Sequence, residues 1–143
     1  MDVASDETIR IVIIDHHTLI RVGLGMVVDN QPGMKVVGEA ADSDEALKVV
    51  RDQQPNIIIL KLDSYSNINP EIIPLLLQES NFSRIILLAL HDNAEMNLSA
   101  LKLGALGIVF TTQKPDILIK AVQKVNIGEV WIERSLIANV LYD

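Results

Sequence analysis

Cysteine is absent from the 143 residues, so disulfides, thiolate zinc sites, iron–sulfur clusters and cysteine nucleophiles are all excluded. No apolar run approaches the roughly 20 residues that a membrane-spanning helix needs; residues 85–90 form one of the longest. The opening, MDVASDETIR, is acidic and polar, where a secretion signal carries a basic end followed by an apolar stretch. Positive charge is also scarce. Twelve Lys and Arg stand against 19 Asp and Glu, for a net charge of −7. The basic residues are spread from Arg10 to Arg134 without a cluster, so the electrostatic footprint of nucleic-acid binding is missing. Five Pro and seven Gly are scattered, and 49% apolar against 22% charged residues excludes a disordered or low-complexity chain. What remains is a globular chain of one-domain length, expected in the cytoplasm and away from membranes.

Four short apolar runs dominate, at residues 11–14, 57–60, 85–90 and 108–110, with 35–38 as a weaker fifth. All are rich in β-branched residues and none alternates with period two. That is the mark of strands covered on both faces, as in a parallel sheet. Between them the apolar period changes to about 3.6. The predicted inward stripes are Leu19, Gly23, Leu24, Val27 and Val28, then Ala46, Leu47, Val49 and Val50, then Ile72, Leu75 and Leu76. The last two are Leu98, Leu101 and Leu103, followed by Leu118, Ala121, Val122 and Val125. Asp42-Ser43-Asp44 opens the second helix, Pro70 and Pro115 open the third and fifth, and Gly104 and Gly107 follow the fourth. Strand–helix repeated five times predicts an α/β fold, a doubly wound five-stranded parallel sheet with helices on both faces. Glu133 to Tyr142 reads as a short extra helix.

In such sheets ligands bind beyond the carboxyl ends of the strands, where strand order reverses. Those ends carry Asp15-His16-His17, Lys61-Leu62-Asp63, Ala89-Leu90-His91-Asp92 and Thr111-Thr112. No Gly-rich phosphate loop follows the first strand, so no nucleotide or flavin cofactor is expected. No Ser lies on a G-x-S-x-G elbow either. Asp15, His16, His17 and His91 gather at one end of the sheet, but adjacent histidines point in different directions and no metal site is expected.

Residues 10–24 (RIVIIDHHTLIRVGL), residues 36–47 (VVGEAADSDEAL), Gly104-Ala105-Leu106-Gly107-Ile108 and Gly128-Glu129-Val130-Trp131 together resemble a response-regulator receiver domain of the NarL/LuxR type. The resemblance implies a flavodoxin-like receiver fold over residues 8–128, with 129–143 starting a linker or extra helix towards an output domain. Receivers accept a phosphoryl group through two adjacent acids after the first strand, an Asp ending the third, a Thr or Ser ending the fourth and a Lys ending the fifth. The acids hold Mg²⁺, the third-strand Asp attacks phosphorus, and Lys and hydroxyl steady the charged oxygens. Matched residue by residue, those positions here are Asp15, His16, Lys61, Ala89 and Thr111. Only Asp15 keeps the family's type. The phosphoacceptor-equivalent position is Lys61, and the aromatic switch position of the fifth strand is Ile108. Asp63 reads as a loop residue past the pocket. Lys61 has two open placements: its stem reaches solvent, or its ammonium pairs with Asp15 where a metal otherwise sits. The second is favoured slightly.

The expectation is a degenerate receiver, a signalling module and not an enzyme, with no cofactor, whose output does not depend on aspartyl phosphorylation. The resemblance further implies that DNA is contacted only through a C-terminal helix-turn-helix domain absent from this chain. It also implies a homodimer, with Val22 and Met26 of the first helix and Ile117 of the fifth as the candidate face. The alternative is a small ligand- or metal-binding domain using the altered pocket.

Overall fold

The computed structural model describes residues 7–63, 67–134 and 136. Five strands and five helices alternate: β1 (Ile9–Ile14), α1 (Thr18–Asp29), β2 (Met34–Ala40), α2 (Ser43–Gln53) and β3 (Ile57–Leu60), then α3 (Ile72–Glu79), β4 (Arg84–Ala89), α4 (Ala94–Leu103), β5 (Gly107–Phe110) and α5 (Pro115–Asn126). The strands form one parallel sheet in the order β2-β1-β3-β4-β5. The doubly wound parallel sheet expected from the apolar runs, and the flavodoxin-like strand order implied by the resemblance, are what is observed.

Successive side chains of a strand face opposite sides, and both sides are buried here. Val12, Ile14, Ile58, Leu60, Ile85 and Leu87 pack with α2, α3 and α4. Ile11, Ile13, Ile57, Ile59, Ile86 and Leu88 pack with α1 and α5. The absence of period-two alternation is thus explained residue by residue. Strand order reverses between β1 and β3, which sets the crevice where a site belongs at Asp15 and Lys61.

Local signals account for the helix ends. Asp42 caps α2 by accepting the Glu45 N–H at 2.8 Å, and Pro115 opens α5. The inward stripes differ from the apolar period in three helices. In α1 the buried residues are Gly25 and Val28, with Leu24 and Val27 partly buried, while Leu19 is 85% exposed and Gly23 meets nothing within 4 Å. In α3 the buried set is Ile72, Ile73 and Leu76, and Leu75 faces out. In α4 it is Asn97 and Ala100, because the Asn97 amide donates to the Leu90 carbonyl at 3.1 Å and so is carried inward.

The sheet edges are closed by side chains and by the segment after α5. Trp131 donates its N–H to Leu106 at 3.0 Å and accepts that of Ile108 at 2.8 Å, adding a bridge beside β5. Next along that edge, the Phe110 N–H is taken by Gln113 Oε1 at 2.8 Å. On the opposite edge the Val36 N–H is taken by Asp29 Oδ1 at 2.9 Å. Capped edges discourage pairing with another chain's strand. Leu136 packs against the cluster on the α2–α4 side; the rest of the expected extra helix lies outside the described residues. Among those residues no helix is long and apolar enough to cross a membrane.

Candidate functional site

Asp15, the first residue past β1, is fully buried, and its N–H is held by the Ala40 carbonyl at 3.0 Å. Its Oδ1 accepts the His17 N–H at 2.8 Å and lies 3.2 Å from His17 Nδ1. Its Oδ2 is buried without a hydrogen-bond partner among the described residues. The other ring nitrogen, His17 Nε2, stands 3.9 Å from Asp63 Oδ2. The Arg21 guanidinium donates to the Asp15 carbonyl at 2.7 Å and to Glu39 at 3.1 Å, closing this corner.

Lys61 continues β3, its N–H held by the Ile14 carbonyl at 2.9 Å. The residue is only 8% exposed. With Ala89, Leu90, Asn93 and Asn97, it lines a cavity of about 10 Å³. That space is at the lower limit for a single water molecule. No ion pair or hydrogen bond joins the Lys61 ammonium to a described residue, and the expected pair with Asp15 is not formed. Locally, His17, two residues on, offers its backbone N–H and ring to Oδ1 of that carboxylate, and Lys61 instead lines the cavity beside β4.

The structure therefore brings Asp15, Lys61, Ala89 and Thr111 to neighbouring strand ends, the first three buried and Thr111 exposed, while His16 turns to solvent. His16 is exposed, its ring edge-on to that of His17 at 5.7 Å. Thr111 is exposed too; its N–H binds the Ala89 carbonyl at 3.0 Å, while the residue lines a separate groove between α1 and α5. Ile108 is buried, and the neighbouring aromatic, Phe110, is covered by the His91 ring stacked at 3.8 Å. Of the histidines considered together with Asp15, only His17 contacts it. Among the described residues no three His, Asp or Glu side chains are placed to share a metal ion.

Magnesium does not fit these residues. The buried carboxylates at this end are Asp15, whose Oδ1 is taken by His17, and Asp63 on the far side of the same imidazole, and the residue next to Asp15, His16, offers no oxygen. A hard cation needs several oxygen ligands and gives up its water reluctantly.

Asp63 is a correction. It does lie in a loop, but it is buried and faces His17 instead of lying past the pocket. Extended backbone places residues i and i+2 on one side, so Asp63 following Lys61 by two was the available signal. In the candidate dimer face, Val22 and Met26 are 46% and 70% exposed, whereas Ile117 is partly buried against the α5-side core. Leu19 was missed because it was assigned to the inward stripe.

The family model described as "Response regulator receiver domain" matches residues 11–123. The nitrate/nitrite response regulator protein NarL of Escherichia coli (strain K12) is 27% identical over 133 residues, covering 93% of this chain and 62% of the relative. The oxygen regulatory protein NreC of Staphylococcus epidermidis is 32% identical over 133 residues, with 92% and 61% covered. The chain thus spans about three-fifths of the length of these relatives. Among solved structures, a two-component response regulator of the LuxR family from Aurantimonas sp. SI85-9A1 superposes with a TM-score of 0.82 at 27% identity, covering 94% of this chain and 96% of that one. Fold, sheet order and motifs agree with these matches, and the chain belongs to the response-regulator receiver domains of the NarL/LuxR type.

Proposed function

We propose that this receiver works without aspartyl phosphorylation, as a dimerising signalling module of a transcription regulator and not as an enzyme. The observation that carries the reading is Lys61. At the acceptor position a carboxylate nucleophile is replaced by a cation, and the cavity that Lys61 lines together with Ala89 measures only about 10 Å³. An ammonium is no substitute for the attacking carboxylate of an acyl phosphate. Three further changes support the reading. His16 stands out in solvent, Ala89 has no hydroxyl and Thr111 supplies no cation.

A module without that trigger needs an assembly that forms by itself, and α1 favours one. From Thr18 to Val28 its only charged residue is Arg21, which is turned inward onto Asp15 and Glu39. The outward positions Leu19, Val22, Gly23 and Met26 follow the i, i+3, i+4, i+7 pattern of a single ridge. By contrast α2 exposes Asp44, Glu45, Lys48, Arg51 and Asp52. An isologous dimer would set each ridge against its two-fold mate, with Ile117 of α5 flanking it. DNA would be reached only through a helix-turn-helix domain following residues 129–143, in the cytoplasm.

Sedimentation velocity over a concentration range tests the assembly. A dimer is expected whose dissociation constant is unchanged by acetyl phosphate and Mg²⁺, and Val22→Glu with Met26→Glu should yield monomers. A monomer at high micromolar concentration, or a dimer indifferent to both substitutions, would remove it.

A further inference from the structure

The cavity beside Lys61 is small, yet a larger hollow lies elsewhere. Between α1 and α5, at the carboxyl ends of β4 and β5, a groove of about 300 Å³ opens. That volume is at the lower end of small-molecule sites, about 300–1,000 Å³. Its floor is apolar and buried, formed by Leu88, Val109 and Leu118. Ile20, Leu24 and Val27 of α1 make one wall, and all three are at least partly accessible.

The polar groups of the groove gather at one end. Thr111, Gln113 and Lys114 belong to the loop joining β5 to α5, and Lys114 is the only charged residue lining the groove. In a chain of net charge −7, a cavity whose sole charge is positive is informative. The Lys114 ammonium makes no ion pair with a described residue. It also stands at the start of the 12-residue α5, whose amino end carries partial positive charge. At position 111 the family's long lysine is replaced by a threonine, which keeps this end open.

We infer that the groove between α1 and α5 binds a small apolar carboxylate, its hydrocarbon body on Leu88, Val109 and Leu118 and its carboxylate at Lys114. The groove does not include Lys61, so the inference goes beyond the pseudo-receiver reading and does not rest on it. It is also distinct from the outward ridge of α1. At 3.6 residues per turn, positions 20, 24 and 27 lie roughly a third of a turn from positions 19, 22, 23 and 26. A carboxylate bordered by both α1 and α5 would couple an input molecule to the helix that carries the ridge.

Titration of 2-naphthoate into methyl-labelled protein, followed by two-dimensional NMR, tests the site. Saturable shifts are expected at the methyls of Ile20, Leu24, Val27 and Leu118. Lys114→Glu should weaken binding at least fivefold, as should replacing 2-naphthoate by the neutral 2-naphthamide. Ile20→Trp, a substitution at a position 40% exposed, should fill the groove and abolish the shifts without unfolding the domain. Shifts centred near Lys61, no saturable shift at all, or equal affinity for acid and amide would each overturn the assignment. So would groove shifts that arise on protein concentration alone and exclude naphthoate, because a second copy of the chain would then be the occupant.

Discussion

Replacing Lys61 by methionine separates two accounts of the pocket by the sign of the effect. The stem is buried, with the residue 8% exposed, and the ammonium has no ion-pair or hydrogen-bond partner among the described residues. Methionine keeps nearly the same volume and packs well in irregular apolar space. Lys61→Met therefore retains the packing beside Ala89 and removes a poorly hydrated charge, and a buried polar group lacking its hydrogen bond costs about 1–3 kcal/mol. Residual contact of the ammonium with solvent reduces that, so a gain of about 0.5–1.5 kcal/mol is expected. Lys61→Ala behaves differently. It loses three buried methylenes at about 0.8 kcal/mol each, offset by the removed charge and by roughly 1.5–2 kcal/mol of side-chain entropy no longer lost on folding. That variant should fall within about 1.5 kcal/mol of the parent. Urea unfolding with a common m-value reads both changes. If Lys61 were instead the counter-ion of Asp15, Lys61→Met would leave a buried carboxylate unpaired and cost about 3–5 kcal/mol. A loss above about 1 kcal/mol in Lys61→Met would refute the unpaired lysine.

Other predictions rest on packing. A Cβ at Gly38 would lie 2.4 Å from Val49 Cγ2, so Gly38→Ala should cost about 1–3 kcal/mol by thermal unfolding; Val49→Ala in the same chain should recover part of that loss. Trp131→Ala removes the indole from the α5-side cluster and loosens the bridge beside β5. The Ile108 amide, bonded to the Trp131 carbonyl at 2.8 Å, should then lose protection against hydrogen exchange while the Ile13 amide keeps its own. Asn97→Ala removes the 3.1 Å bond to the Leu90 carbonyl and should cost about 0.5–1.5 kcal/mol, with faster exchange in residues 90–93.

The four inner strands were legible because each is covered on both sides, and unbroken apolar runs of three to six residues rich in β-branched side chains have few other uses; the edge strand β2, with Lys35 and Glu39 exposed, gave the weaker signal. Sheet order was implied only by the resemblance to receiver domains, since right-handed crossovers are compatible with several strand orders. The helices were legible as elements but less so in orientation. Nearly every residue of α1 is apolar, so the 3.6-residue period has no polar face to fix its phase. Gly25, with no side chain to count, is the residue that turns inward. In α4 a polar residue, Asn97, occupies an inward position, which hid the stripe. At the site, the identities at Asp15, His16, Lys61, Ala89 and Thr111 could be read in order along the chain. Which of them touch could not. The choice of Asp15 between Lys61 and His17 is decided by backbone direction after β1, and the groove at Lys114 joins helices from opposite ends of the chain.

The central claim is that no phosphoryl group is accepted at this pocket, and intact-mass spectrometry after incubation with acetyl phosphate tests it most directly. With and without millimolar Mg²⁺, the parent chain and Lys61→Asp should both retain their unmodified mass. The variant should do so because His16, Ala89 and Thr111 still leave the metal and the transferring oxygens unsupported. A stoichiometric phosphate adduct on any aspartate of the parent chain, Asp15 and Asp63 included, would contradict the account.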